Sequence, residues 1–316
     1  MPETIEKTFI TQFTEDVQYL AQKEQGVLYQ YYKPITVTSV DGQAFDKSLP
    51  FELADSTNKR YEATSRKFAE WDRVWAYPVR GERAILHDKN DDLSMAFEPG
   101  SVVMQNGAKA INRWRDLVAY SALGATVKTG RNASGSESLS ATAVASGGNL
   151  IPLDSTANGA TGGNINGFSV EKLLAAKKFF YDNNVTDEPI YCVVSQNEIN
   201  QLLLDPRVSS IDYNERKALA MGETNTYAGI NFIRFHAPLD GVEGQATQKK
   251  VYFFSPNGLG FGDVRLNVKV DQLPDMRYDY QFYFEVISAA VRFDIQRVCY
   301  ALVDQATTLD TGIADL

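Results

Sequence analysis

The sequence predicts an α+β fold built around one long helix. Three observations predict it. Apolar and small residues recur at steps of three or four over residues 99–125, helical and strand patterns alternate over residues 169–254, and strand-like runs rich in aromatic residues fill residues 259–303. At about 1.5 Å per residue the helix would span on the order of 35–40 Å, the diameter of a whole domain.

Length and composition limit the possible functions. The 316 residues, 44% apolar and 22% charged, are enough for one large or two medium globular domains. The net charge of −9 argues against binding nucleic acid by neutralising its phosphates. No stretch approaches about 18 consecutive apolar residues and no signal peptide is visible, so we expect a soluble protein made in a cytoplasm. Cys192 and Cys299 lie in apolar runs, which favours buried free thiols.

Residues 1–33 are predicted to form an arm that contains a short helix. Its apolar positions recur at helical spacing and are Phe9, Ile10, Phe13, Val17, Leu20 and Ala21. A helix this short is not stable alone, so its apolar face needs a neighbour to dock on.

Residues 35–88 change to a strand pattern. Residues 35–40 alternate, Asp41-Gly42 is a turn signal, and residues 44–51 and 68–79 are extended runs on either side of a polar stretch. The simplest assembly is two antiparallel strands with a long charged tip. Such a ribbon is marginal in water unless another molecule holds it. An ordinary flexible surface loop is the alternative.

The long helix begins at Pro99, which suits the first helical position. Its stripe of apolar and small residues consists of Val103, Gly107, Ile111, Trp114, Val118 and Ser121. We expect Ile111, Trp114 and Val118 to pack in the core, with Ile111 and Trp114 facing the C-terminal sheet.

The second half of the chain divides into three parts. Residues 126–167 are rich in Gly, Ser, Ala, Thr and Asn, which predicts a surface excursion with a short hairpin. A compact α/β lobe follows; its predicted elements are helices over residues 170–181, 196–204 and 214–221, the first two capped by Ser169 and Ser195, and strands over residues 190–194, 230–235 and 251–254. Strands over residues 264–270, 278–288 and 289–302, with a turn at Pro274-Asp275, are expected to pack on the long helix as an antiparallel sheet.

No pattern in the sequence indicates catalysis. His87 and His236 have no partner motif, no phosphate-binding glycine loop is present, and the cysteines and histidines do not fall at zinc-ligand spacings. The acidic turn at residues 88–92 matches only the start of a calcium loop. We therefore expect no enzyme activity, no catalytic, cofactor-binding or metal-binding residues, and no cofactor.

The order of these parts resembles the major capsid proteins of tailed bacteriophages, which have the Hong Kong 97-type fold. The likeness covers nearly the whole chain. The stretches that carry it are residues 9–21 (FITQFTEDVQYLA), 71–88 (WDRVWAYPVRGERAILHD), 193–195 with the following helix, 218–222 (ALAMG) and 229–232 (GINF).

The resemblance implies a domain layout. Residues 1–44 would be the N-terminal arm, residues 45–88 an extended β-hairpin loop lying over an adjacent subunit, and residues 89–125 the spine helix of the peripheral domain. Residues 126–255 would be the α/β axial domain, and residues 256–316 the peripheral-domain sheet and C-terminus.

The resemblance also implies a function. The chain would self-assemble into hexamers and pentamers of an icosahedral phage head, a virion capsid assembled in the host cytoplasm. The shell would enclose double-stranded DNA without sequence-specific binding and without a membrane. A separately encoded scaffolding protein and a portal would be partners during assembly. Whether a decoration protein also binds the shell stays open.

Four basic residues of the loop, Lys59, Arg60, Arg66 and Lys67, would then pair with acidic groups of a neighbouring subunit; the alternative is that they only keep the loop soluble. Three other functions also stay open. They are an encapsulin-like shell of a cellular compartment, an α/β enzyme with an unrecognised site, and a tail or other structural protein of a virion.

Overall fold

The computed structural model describes residues 26–51, 53, 66–88, 99–162, 166–205, 208, 226–235, 241–242, 245–276 and 278–305. The helices of this part are α1 (Pro99–Gly124), α2 (Val170–Asp182) and α3 (Gln196–Leu204). The strands are β1 (Lys33–Pro34), β2 (Gln43–Ser48), β3 (Trp71–Ala76), β4 (Val79–His87), β5 (Val127–Thr129), β6 (Gly135–Glu137), β7 (Leu150–Ile151), β8 (Ile190–Val194), β9 (Thr226–Tyr227), β10 (Ile230–Arg234), β11 (Gly241–Val242), β12 (Gln245–Phe254), β13 (Leu259–Leu273), β14 (Asp279–Arg292) and β15 (Val298–Asp304).

The strands form three sheets. The outer sheet has the order β1-β13-β14-β4, and the loop sheet has the order β2-β3-β5-β6. The lobe sheet has the order β7-β15-β12-β8-β10-β9, with β11 paired to β12. β8 and β10 run parallel, whereas β12 pairs antiparallel with both β8 and β15. The C-terminal strand β15 therefore lies in the lobe sheet rather than in the outer sheet.

Helix α1 confirms the predicted long helix, and it packs between two clusters of the core. Ile111 joins one cluster with Phe282, Phe284 and Val286 of β14. Val118, Ala119, Tyr120 and Leu123 join a second cluster with residues of β12, β13 and β15. At Gly107 a Cβ atom would lie 2.2 Å from the ring of Phe284, so glycine is what allows the helix to approach the sheet.

The α/β lobe contains the largest cluster of buried side chains, which covers α2, α3 and the lobe sheet. Helix α2, strand β8 and helix α3 are present as predicted. The predicted cap of α2 is not formed, because Ser169 occupies the N-cap position but its hydroxyl makes no capping hydrogen bond. Ser195 and Glu198 form a capping box at the start of α3, which satisfies two backbone N–H groups at that end. The predicted strand at residues 251–254 is longer in the structure and begins at Gln245.

Three expectations about strands and loops need correction. Residues 35–40 are not a strand, although Val37 is buried. The backbone N–H and hydroxyl of Thr38 donate to the side-chain oxygen of Gln43 across the turn that contains Gly42, so no strand ladder forms there.

The second correction concerns residues 126–167. The predicted hairpin is present as β5 and β6. The segment is nevertheless more than a surface excursion, because Val144 and Ile151 are buried in the core of the lobe and β7 pairs with β15. A few well-placed aliphatic residues are enough to order a segment that is polar on average.

The third correction concerns the end of β14. The predicted break after residue 288 is wrong, since β14 continues to Arg292 and the chain turns at residues 293–297. The side chain of Asp294 accepts a hydrogen bond from the backbone of Gln296 in this turn. The apolar run across residues 286–291 contains no breaker residue, so its continuation as one strand is physically natural. The predictions for residues 9–21, most of the polar tip and residues 214–221 lie outside the described residues.

Candidate assembly surfaces

The β2–β3 ribbon confirms the predicted antiparallel pair and is the base of the loop region. Residues 43–48 pair in register with residues 76–71. Arg73 of β3 forms an ion pair with Asp46 of β2 at 2.5 Å, and this hydrogen bond lowers the pKa of the Asp46 carboxyl. Val74 is fully buried against the chain's own core, so this end of the ribbon is held by the subunit itself.

The opposite end of the ribbon exposes large apolar side chains. Phe51 is 73% exposed, Leu53 91%, Phe68 96% and Trp71 68%. They follow the end of β2 and precede or begin β3, so they lie on both sides of the same loop. Large exposed aromatic residues concentrated in one region are typical of a surface that contacts another protein.

Two of the four predicted basic residues of the loop, Arg66 and Lys67, directly precede Phe68 in the chain. Arg66 is exposed, and Lys67 is exposed and forms an ion pair with Glu70 at 3.2 Å. Lys59 and Arg60 lie outside the described residues.

The base of the N-terminal arm is anchored to α1 by a buried carboxylate. The backbone N–H groups of Val27 and Leu28 donate to the carboxylate of Asp116 at 3.0 and 2.9 Å, and Asp116 is fully buried. The hydroxyl of Tyr32 donates to the carbonyl oxygen of Ala119 at 2.9 Å. Burial, followed by the negative charge of Asp116, raises the pKa of Tyr32. Residues 27–32, the base of the predicted arm, are therefore held at a fixed point on α1.

A second contact strengthens this anchor. The guanidinium of Arg115 lies 5.8 Å from the ring centre of Tyr29 and forms an ion pair with Asp263 of β13 at 2.7 Å. Sequence reasoning did not identify Asp116 or Arg115. Their spacing on the polar side of the helix is that of ordinary solvated residues, and only the position of residues 26–32 shows their role.

The predicted core residues of the helix lie as follows. Ile111 contacts the outer-sheet cluster, and Val118 contacts the cluster between α1 and the lobe. Trp114 is half-buried and contacts both clusters. A Cβ atom on Gly81 of β4 would lie 2.6 Å from the indole, so the indole rests directly on that strand.

The α/β lobe buries two charged networks that stabilise it. Glu198 accepts hydrogen bonds from Ser195 and lies 3.3 Å from the ammonium of Lys249, and both charges are buried. Burial alone would raise the pKa of Glu198, but hydrogen bonds from Ser195 and the charge of Lys249 outweigh it and lower this pKa. The Ser195–Glu198 spacing is a capping-box signal that the sequence carries.

The second network contains Lys172. Its ammonium donates to the carbonyl oxygens of Asn166, Gly167 and Leu302 at 2.9, 2.7 and 2.8 Å. Burial lowers the pKa of Lys172 to about 7, against the attraction of Asp154 and Asp304. Every donor position of the ammonium has an acceptor, so the group fastens α2 to β15.

The described residues contain no group of three or more His, Cys, Asp or Glu side chains that could hold a metal ion. Cys192 and Cys299 are free and buried, as predicted, and burial raises the pKa of both thiols. A buried thiol with a raised pKa is a poor nucleophile. Within the same part of the chain, no helix combines the length and the hydropathy needed to cross a membrane.

The comparisons with known proteins agree on one family. The family model described as phage capsid protein matches residues 5–303. The search of curated proteins finds no significant match. Among solved structures, the chain is similar to one from Mycobacterium phage Che8, with a TM-score of 0.63 and 13% identity over 95% of this chain and 98% of that chain.

Two further solved structures are similar at the level of fold. The capsid of cyanophage Pam1 has a TM-score of 0.66 and 11% identity over 95% of this chain and 98% of that chain. The capsid of Ralstonia phage GP4 has a TM-score of 0.66 and 11% identity over 93% of this chain and 94% of that chain. These likenesses show the Hong Kong 97-type fold, and the family match favours a phage capsid over a cellular compartment shell.

The match extends over nearly the whole chain, and it includes both the ribbon with its exposed aromatic residues and the helix that anchors the arm. The chain therefore belongs to the phage capsid protein family, as a major capsid protein that forms the multimeric shell of a virion.

Proposed function

We propose that this major capsid protein builds hexamers and pentamers of an icosahedral head, and that residues 45–88 of each subunit lie over an adjacent subunit. The shell encloses double-stranded DNA without sequence-specific binding. A scaffolding protein and a portal take part in assembly in the host cytoplasm, and a decoration protein is an optional further partner. Residues 1–44 act as the arm, 89–125 as the spine region, 126–255 as the axial domain and 256–316 as the peripheral part, with β15 returning to the lobe sheet.

One observation carries the proposal for the loop. Phe51, Leu53, Phe68 and Trp71 are mostly exposed on a ribbon that a single subunit covers only at its other end. Burying apolar area is worth about 25 cal/mol per Å², so covering these side chains with a neighbour would stabilise the lattice at every repeat. Many equivalent contacts of this size then add up through multivalency.

The charges support the same arrangement. Arg66 and Lys67 are exposed on a chain with 40 acidic and 31 basic residues, so an adjacent subunit offers more acidic than basic groups. Lys59 and Arg60 add two further positive charges to the same loop. Opposite charges across an interface guide its register more than they add affinity.

The experiment is assembly of the expressed chain, followed by electron microscopy. We expect closed shells from the wild type and folded subunits without shells from Phe68→Ser. The control is Tyr181→Ser, which removes another mostly exposed aromatic residue, 67% exposed on α2, and is expected to assemble normally. Normal shells from Phe68→Ser would contradict the role of the loop, and a stable wild-type monomer under all assembly conditions would contradict the function itself.

The charge part of the proposal has its own variant. Replacing Lys59, Arg60, Arg66 and Lys67 together by Glu should leave the fold intact and greatly reduce shell formation. The loss should lessen at high salt, because exposed like-charge repulsion is screened. Assembly equal to the wild type at low salt would show that these residues only keep the loop soluble.

A further inference from the structure

Strand β13 changes its environment halfway along its length. Near its start, Gly260 and Phe261 pair with β1 on one side and with β14 on the other. From Arg265 to Leu273 the strand pairs with β14 alone, and no other described strand lies along its second edge. An open edge of this length is a ready template for pairing with another strand.

The open half of β13 has one apolar and one charged face. Leu266, Val268 and Val270 lie opposite Val286, Phe284 and Phe282 of β14, so they share the sheet face that α1 covers. They are nevertheless 52%, 39% and 47% exposed, because α1 reaches over β14 and β4 and leaves this half of β13 uncovered. On the other face, the segment begins with a positive residue, Arg265, and ends with a negative residue, Asp271, and both are exposed.

This half-strand is complementary to itself. If two copies align antiparallel with Val268 opposite Val268, Leu266 faces Val270 of the other copy in both halves. The same alignment puts Arg265 opposite Asp271 twice. Directly opposite apolar pairs and opposite-charge pairs both stabilise an antiparallel ladder, and any shift by two residues would break the two charge pairs.

We propose that β13 is a two-fold contact between subunits, in which residues 265–271 of one copy pair edge to edge with the same residues of a second copy about an axis at Val268. The proposal rests on the proposed shell assembly and names one of its contacts. Two outer sheets then become one continuous sheet of twice the width. The six aliphatic side chains of the contact lie together on the side where both α1 helices lie.

A second copy fits this edge for reasons of symmetry. An antiparallel pair has two-fold axes perpendicular to the sheet through each directly opposite residue pair, so one sequence can supply both strands. Such an isologous contact closes on itself and does not propagate as a fibre. The pairing also brings the two aliphatic stripes into lateral contact and satisfies the open backbone groups in one step.

A cysteine substitution tests the register directly. In Val268→Cys the two thiols face each other, and directly opposite Cα atoms at about 4.5–5.5 Å suit a disulfide. Under mild oxidation most subunits should run on a non-reducing gel at twice the 35.1 kDa chain mass. Cys192 and Cys299 are buried and do not interfere.

The matched control is Lys269→Cys, one residue along the same strand. In the proposed register Lys269 lies opposite Asn267, so two cysteines at position 269 are diagonal neighbours about 7–8 Å apart and cannot bond without movement. We expect no covalent dimer from this variant. Equal dimer yields from the two variants would overturn the register.

Charge reversal tests the pairing without a cross-link. Arg265→Asp and Asp271→Arg each put like charges opposite one another twice per contact. Each should lower the yield of particles by about tenfold, since the penalty repeats at every such contact of the shell. The double variant Arg265→Asp/Asp271→Arg restores both pairs and should recover the wild-type yield.

The outcomes separate this inference from the proposed function. Closed shells from Val268→Cys whose subunits stay monomeric on the gel would overturn the β13 contact and leave shell formation standing. Covalent dimers from a chain that never forms shells would support the β13 contact and contradict the proposed function. Dimers in which position 268 links to a different protein would also overturn the contact between copies.

Discussion

The α/β lobe buries its large apolar residues, whereas the ribbon and the outer sheet expose several of theirs. In the lobe, α2, α3 and the lobe sheet enclose one large buried cluster, and the charged groups inside it, Glu198, Lys249 and Lys172, have partners. The ribbon and the outer sheet instead expose Phe68, Trp71 and the aliphatic stripe of β13.

A single strand shows the same contrast. β13 is buried from Leu259 to Gly262, where β1 and β14 flank it, and becomes exposed after the bulge near Asp263. The difference indicates that the lobe is stabilised within one chain, whereas the ribbon and the outer sheet retain surface for other copies. Helix α1 belongs to both regions. Ile111 packs on Phe282, Phe284 and Val286 of the outer sheet, and Val118 and its neighbours pack in the cluster shared with β12 and β15 of the lobe sheet.

The largest expected effect on folding and assembly comes from a substitution in α1, the helix that contacts both regions. Trp114→Asp removes a large apolar side chain from both clusters and places a carboxylate there, which should cost about 3–5 kcal/mol or more. Since a domain is stable by only about 5–15 kcal/mol, we expect little folded protein and no assembly.

The measurement for Trp114→Asp is circular dichroism with electron microscopy of the product. Leu117→Asp is the matched control, because it changes an exposed apolar residue of the same helix. Normal assembly of Trp114→Asp would show that α1 is not the spine of the fold.

A substitution inside the lobe should lower the unfolding free energy almost as much, and this loss should not depend on contact with another subunit. Lys249→Met leaves the carboxylate of Glu198 buried without its ion-pair partner, at a cost of about 3–5 kcal/mol. The double variant Lys249→Met/Glu198→Leu removes both charges and should recover most of that loss. The unfolding free energies of the wild type, Lys249→Met and the double variant are measured by urea unfolding.

Lys178→Met is the control for this prediction, since it breaks an exposed ion pair on α2 that contributes little. If Lys249→Met and Lys178→Met unfold alike, the buried pair does not stabilise the lobe.

A smaller effect is expected at the anchor of the arm. Asp116→Ala removes the acceptor of the Val27 and Leu28 N–H groups and should cost about 1–3 kcal/mol. The lobe stays folded, and limited proteolysis should cut the chain near residues 26–28 faster than in the wild type. Asp182→Ala, an exposed change, should leave the cleavage rate unaltered.

The smallest effect is a change in acid sensitivity. The pKa of Glu198 in the folded chain lies below its usual value of 4.5, so its stabilising contribution is complete above that value and is lost as the pH falls below it. Glu198→Gln leaves Lys249 buried without its ion-pair partner and so lowers the unfolding free energy at neutral pH, and it should also flatten the decline of that free energy in acid. If the unfolding free energy of the variant declined in acid as steeply as that of the wild type, another carboxylate would be responsible for the decline.

Local patterns predicted much of this fold. The stripe from Val103 to Ser121 with Pro99 at its start predicted α1, and the capping signal at Ser195 predicted α3. Ser169 predicted the start of α2 by its position alone, since its hydroxyl does not cap the helix. These patterns suffice because helix periodicity and capping depend on residues only three or four positions apart.

The assembly surfaces were predicted less completely. The basic residues of the loop were visible as charges, whereas the exposed stripe of β13 and the buried carboxylate of Asp116 were not. Leu266, Val268 and Val270 have the alternating pattern of a half-buried strand, and the sequence does not show that α1 fails to cover them. Asp116 has the spacing of a solvated residue, and only its contact with residues 27 and 28 shows otherwise.

By itself the sequence determined the type of each long element and, through the order of those elements, the capsid family. The tertiary structure alone decided which strands are neighbours. It placed β4 beside β14, and it placed β15 between β7 and β12 in the lobe sheet. Such pairings join residues far apart in the chain, and their choice depends on how apolar faces of several elements fit together, which no local pattern encodes.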